Sequence, residues 1–307
     1  MRYQALSIIV ACLSLNISSL SHAQNNPHNA TSHQHQVADM PLRYRIAPID
    51  PRFNLSSKQV LELTQQAAKI WEKETGKKHF IYDPNAEFTI NLVYDDRQQH
   101  TSNRLQGLNQ LKQQQQQWEI DSLQIQQVKD EIQRATASIA SKQSQLTAQF
   151  QQYNADVQRF NQMRSSSKEW ADQLAQRQKQ LQQQSAELKQ AIQQHSQKTQ
   201  QLNQQIKGLN QNNQQLALSA NQFNQTFQPR LFHKGQFNGK QISVYEFSSK
   251  DDLRMTLAHE FGHALGLDHT DDPTSLMYPV IQKQNMERFA LAHADQQDLV
   301  RAVNELY

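Results

Sequence analysis

Between Gln98 and Gln228 the chain contains no proline and only two glycines, Gly107 and Gly208. Glutamine dominates this stretch, with Gln113 to Gln117 an unbroken run, and glutamine-rich disorder is one reading of such a composition. Against it stands the spacing of the apolar residues. Trp118, Ile125, Val128, Ile132, Ala135, Ile139, Leu146, Phe150, Tyr153, Val157 and Phe160 alternate at intervals of three and four. Leu181, Leu188, Ile192, Leu202, Ile206, Leu209, Leu216, Ala220, Phe223 and Phe227 do the same. A period of 3.5 held over many heptads specifies a coiled coil. Ser185, His195, Thr199 and Asn213 also occupy seam positions and weaken the ladder.

The chemistry lies beyond this stretch, in His259-Glu260-Phe261-Gly262-His263-Ala264-Leu265-Gly266-Leu267-Asp268-His269. On a helix His259 and His263 are four residues apart, so both imidazoles leave one face. That spacing suits two nitrogen ligands of one tetrahedral zinc. Glu260 lies on the rim of the same face, where a carboxylate can hold a metal-bound water. Gly266 ends the helix in a left-handed turn, and the reversed chain can return His269 as third ligand. Three protein ligands leave a fourth position for water, the mark of a catalytic rather than a structural site. His-Glu-x-x-His alone is moderately common, but the extended pattern occurs by chance on the order of one in 10⁷ per position or less.

A second element follows at Ser275-Leu276-Met277-Tyr278-Pro279, where a methionine turn is expected beneath the metal. Together the two resemble the metzincin zinc peptidases. Met277-Tyr278-Pro279 is similar to the matrixin form of the turn. In the astacin and serralysin forms a tyrosine stands two residues after the methionine, and here that position is Pro279. The resemblance extends to Phe289-Ala290-Leu291, Asp295, Leu299 and Leu306-Tyr307, which look like the last matrixin helix and its lead-in. It implies an α+β fold: a mixed twisted sheet with an active-site helix and a C-terminal helix. It also implies one catalytic zinc on His259, His263 and His269, with Glu260 as general base, Met277 as a floor to the site, and Tyr278 and Pro279 along a substrate pocket. The family's structural zinc and calcium loop would fall where the helical stretch is inserted. No matching ligand set is seen there, and these metals are not expected.

Residues 41–97 read as the first half of that domain. Leu42 to Ile46 alternates as a strand, Ser56 or Ser57 can cap a helix running to Gly76, and His79–Tyr82 and Phe88–Tyr94 read as strands. After Pro229, Leu231–Phe237 and Gln241–Tyr245 read as strands joined by Asn238-Gly239. Leu231–Phe237 is the candidate edge for binding an extended peptide, with His233 on it as a structural residue. Ser248 or Ser249 caps the helix of the zinc motif. Residues 98–228 therefore interrupt one domain, and their ends must meet. An antiparallel helical hairpin turning near Met163 and Arg164-Ser165-Ser166-Ser167 satisfies this, with arms about 90 Å long at 1.5 Å per residue.

The first 23 residues read as an export signal: Arg2, an apolar run from Ala5 to Leu20, and Ser21-His22-Ala23 as the cleavage site. The run is too short and interrupted for a transmembrane anchor. Ile9-Val10-Ala11-Cys12 is a minor lipoprotein alternative. Residues 24–40 are a polar lead expected to be disordered. Cys12 is the only cysteine, so the processed chain has none, and both disulfides and latency through a cysteine on the zinc are excluded. A net charge of +3 argues against nucleic acid as the main partner.

The expectation is an exported zinc endopeptidase, periplasmic or extracellular, acting on proteins or peptides, with a protein partner for the coiled coil. The alternative is an adhesion or scaffolding protein working through the hairpin, with protease activity secondary or lost.

Overall fold

In the computed structural model, which describes residues 41–163, 167–230, 232–280 and 289–305, the sequence signals for helix ends mark where elements begin and stop. Strand β1 (Leu42–Ile46) leads through a 3-10 turn at Pro51–Phe53 into helix α1 (Ser57–Thr75). Ser56 and Gln59 form a reciprocal capping box at its start, and Gly76, with φ of 66°, closes its end. Strands β2 (Phe80–Tyr82) and β3 (Phe88–Leu92) follow. After the insertion come β4 (Gly235–Phe237), β5 (Gln241–Val244), α4 (Lys250–Ala264), whose N-cap is Ser249, and α5 (His293–Glu305). Leu306-Tyr307, the export signal and the polar lead lie outside the described residues, as do Leu231 and the turn residues Arg164 to Ser166.

The five strands form one mixed sheet in the order β2-β1-β3-β5-β4, parallel except for β4, which pairs antiparallel with β5. Helices α1 and α4 bury Val60, Ala67 and Trp71 from one and Leu253, Leu257 and Phe261 from the other in a single core with Tyr44, Ile90, Ile242 and Val244. Full burial of such side chains contributes about 1.5–3 kcal/mol each. The Trp71 indole N–H donates to the Ala258 carbonyl at 2.9 Å, which fixes the rotation of α4 against α1. β4 is shorter than the strand expected from Leu231 to Phe237. Tyr245 N and Glu246 N both donate to the Lys234 carbonyl, at 2.7 and 3.3 Å. Two residues opposing one is a bulge, and it ends the ladder.

By contacts the chain divides into two units, residues 1–109 with 221–307, and residues 110–220. The second is an antiparallel helix pair cut from α2 (Asp96–Gln162) and α3 (Lys168–Thr226). Ile125, Ile132, Leu202 and Leu209 are buried together, with Trp118, Val128 and Ile206 packed around them. Further along, Glu131 meets Lys198 at 3.7 Å, the His195 ring nitrogen lies 2.7 Å from the Thr136 hydroxyl, and Trp170 packs on Phe160. Ile192, expected on the seam, is 43% exposed.

Candidate metal centre and active site

Helix α4 is apolar on several sides because it is sandwiched between α1 and the sheet, and this buries the start of the zinc motif with it. His259 and Glu260 are 4% and 3% exposed, His263 is half-buried and His269 exposed. Gly266, with φ of 86°, turns the chain back past the helix end, and one nitrogen from each of the three histidines falls within 4.8 Å of the others.

The tautomers are set by the backbone. His259 Nδ1 donates to the Leu276 carbonyl at 2.7 Å and His263 Nδ1 to the Leu267 carbonyl at 2.8 Å. Each bond places the proton on Nδ1 and leaves the Nε2 lone pair directed at the cluster. Nε2 of His259 and Nε2 of His269 are 3.2 Å apart. Two ring nitrogens facing each other so closely repel unless a cation or proton lies between them. With Zn–N bonds of about 2.0–2.1 Å, a tetrahedral zinc sets its ligand nitrogens about 3.3 Å apart, so the spacing of His259 and His269 fits that ion, with the His263 nitrogen within 4.8 Å of both. Burial, then the charge of His263, holds His259 well below the ordinary imidazole range. His269 is pushed down to about 4 by burial of its ring and by His263, although the residue as a whole is exposed. Neutral imidazoles are the ligand form.

Glu260 points into the same space. Burial raises its carboxyl to about 8, partly opposed by a hydrogen bond from the Phe237 N–H. Its Oε2 is buried without a partner among the described residues, as expected of a group whose partner is a metal, water or substrate. Gly235 makes this position possible, since a Cβ there would lie 2.5 Å from Glu260 Oε1.

Below the histidines, Met277 is fully buried against Gly262, where a side chain would collide with its sulfur and come within 2.9 Å of Trp71. The turn is held by Asp295 at the start of α5. Its carboxylate accepts from the Ser275 hydroxyl (2.5 Å), Leu276 N (2.8 Å), Met277 N (3.1 Å) and Ala292 N (2.8 Å). Asp295 thus fixes Leu276, whose carbonyl orients His259.

The cleft over the histidines is lined by residues 232–237 and by Pro279. Pro279 therefore stands on its wall, whereas Tyr278 is not among the lining residues. His233 corrects the sequence reading. It lies outside any strand, lines the cleft, and is close enough for its charge to oppose protonation of His269. Gly235, Gly262 and Lys234 were also missed by sequence reasoning. A glycine inside an expected strand, the mark of a close backbone approach, was the one available signal for Gly235.

The fold and site together define a metallohydrolase centre of three histidines and a buried glutamate beside a sheet edge. The matrixin family model matches residues 34–307, and the chain belongs to the matrixins, a family of zinc metallopeptidases. Among curated proteins it is similar to matrix metalloproteinase-16 of Homo sapiens and of Rattus norvegicus, 43% identical over 49 residues, 16% of this chain and 8% of the relative. It is similar also to matrilysin of Felis catus, 45% identical over 49 residues, 16% of this chain and 17% of the relative. The match spans less than a fifth of the length of either relative. No solved structure matches significantly.

Proposed function

We propose that the protein is a zinc-dependent endopeptidase. The observation that carries this reading is the cluster of three histidine nitrogens within 4.8 Å, with the unpartnered Glu260 Oε2 buried beside it. His259, His263 and His269 would hold the ion through ring nitrogens. Zinc there supplies a Lewis acid that activates water near neutral pH and polarises the scissile carbonyl. The chain's own groups do the rest. β4 is an edge strand, and it can take an extended peptide as one more strand. Glu260, held by Phe237 N–H on one side, would be kept ionised by the bound cation despite its burial, and is placed to accept the proton of the attacking water and return it to the leaving amine nitrogen. Met277 serves as the floor of the site, and Pro279, on the cleft wall, shapes the pocket for the residue after the cleaved bond.

Export through residues 1–23 and a polar lead over 24–40 belong to the same proposal, as does the role of the helical pair as an arm that selects protein substrates. No described helix is long and apolar enough to cross a membrane. Retention of all three histidines together with Glu260 disfavours a scaffold with a lapsed site.

The deciding experiment compares wild type, Glu260→Gln and His263→Ala for zinc content and peptide cleavage. Loss of the base costs about 10²–10⁴-fold in turnover with zinc near one per chain, whereas His263→Ala loses both. Normal turnover by Glu260→Gln removes that residue from the mechanism.

A further inference from the structure

Lys234 is a fully enclosed ammonium one residue before the glycine that seats Glu260. Its side chain is 2% exposed, and Nζ lies 2.6 Å from both carboxylate oxygens of Asp252 and 3.2 Å from Glu246 Oε2. Both acids are also buried. The three charges come from three places: the lead into β4, the segment just past β5 and the first turn of α4. A fourth element joins them from the insertion. Thr101, buried on the first turns of α2, donates its hydroxyl to Glu246 Oε1 at 2.8 Å. One turn earlier Gln98 pairs both ways with the backbone of Phe247, its Nε2 donating to the carbonyl at 3.1 Å and its Oε1 accepting from the N–H at 3.0 Å. Arg97 stacks on the Tyr245 ring at 3.6 Å. Asp252 is also tied locally, accepting from Ser248 N and Ser248 Oγ at 2.8 Å.

A buried cation held by two buried carboxylates cannot drift, because moving it leaves an uncompensated charge in a low-dielectric interior. β4 has only three residues and is paired on one side, so its own ladder holds it weakly. Yet its placement against α4 sets where Glu260 points, through the Gly235 contact and the Phe237 N–H. From this geometry we propose that Lys234 is a positioning residue for Glu260. It locks the lead of β4 to α4 and β5, and the stem of the helical insertion, through Thr101 and Glu246, belongs to the lock. The proposal rests on the peptidase reading for its kinetic consequence, but its structural consequence is separate.

The test uses full-length, zinc-loaded protein and the variants Lys234→Met and Thr101→Val. Two quantities are read: hydrogen exchange of the amides in 233–237 relative to β1 and β3, and kcat and KM per bound zinc on a short peptide. Lys234 is not one of the three residues that would ligate zinc, so zinc content stays near one per chain. For Lys234→Met, exchange in 233–237 rises at least tenfold while β1 and β3 are unchanged, and kcat per zinc falls at least tenfold, by a larger factor than KM changes. Thr101→Val shifts both in the same direction by at least twofold. A Lys234→Met protein with unchanged β4 exchange, or with kcat per zinc within twofold of wild type, overturns the inference. If Lys234→Met does not fold, Thr101→Val decides by the same criteria, and wild-type values there overturn it. Raised β4 exchange in a protein whose wild type cleaves no peptide refutes the peptidase reading and leaves the lock standing.

Discussion

Removing the Asp295 carboxylate is expected to unfold the metal site from below. The group is fully buried and accepts four hydrogen bonds, three of them from backbone amides and two of those in the methionine turn. In Asp295→Ala the amides of Leu276, Met277 and Ala292 lose this acceptor inside the protein, along with the Ser275 hydroxyl. Each donor left unsatisfied in the interior costs about 1–3 kcal/mol, and water entering the space left relieves part of this, so the loss is about 3–5 kcal/mol. A domain is stable by about 5–15 kcal/mol in total, so the variant folds only marginally. At about 2–4 °C per kcal/mol for a domain of this size, the midpoint falls by about 6–20 °C. Slack in the turn also frees the Leu276 carbonyl that orients His259, lowering zinc affinity by about 10–100-fold. Far-UV circular dichroism is the wrong assay, because α2 and α3, with 67 and 59 residues, dominate it. Trp71 fluorescence in a Trp118→Phe/Trp170→Phe background reports the core around α4, and competition with a chromophoric chelator reports zinc. A midpoint within about 2 °C of the parent with unchanged zinc affinity would refute the reasoning.

Gly235→Ala should keep zinc and lower kcat by about 10–100-fold, since its Cβ must push Glu260 aside; turnover equal to wild type would show that Glu260 is not held there. Replacing residues 110–220 by a short linker should leave a folded enzyme active on small peptides but impaired on a subset of whole proteins. Replacing 98–228 should impair both, because Gln98 and Thr101 go with it; identical behaviour of the two deletions would place the stem outside the body's structure. The zinc-free protein in a Glu260→Gln background, which removes the opposing titration of that buried carboxyl, should lose stability in acid. Folded-state pKa values of His259 and His269 lie below the unfolded value of about 6.5, so the unfolded chain takes up protons first. Stability is full above that pH and lost progressively toward pH 4. A melting profile flat over this window would count against the buried neutral histidines.

What the sequence determined by itself is everything encoded over short range. The four-residue interval between His259 and His263, the Gly266 turn, a serine cap at Ser56 or Ser57 and at Ser248 or Ser249, and the 3.5-residue period of the long helices follow from helix geometry alone. They read the same in any tertiary setting. The methionine turn came with the family resemblance. What needed the tertiary structure is every relation between residues distant in sequence: Trp71 with Ala258, Asp295 with Met277, Thr101 with Glu246. Lys234 looks like one more surface lysine in the sequence, since a charge shows nothing of its burial until β4, β5 and α4 close around it. His233 looked structural for the same reason, because the bulge that ends β4 and leaves it facing the cleft depends on two amides just past the end of β5. Ile192 has the right spacing for the seam yet stands exposed, because the heptad marks which face a residue takes and only the partner helix decides how much of that face is covered.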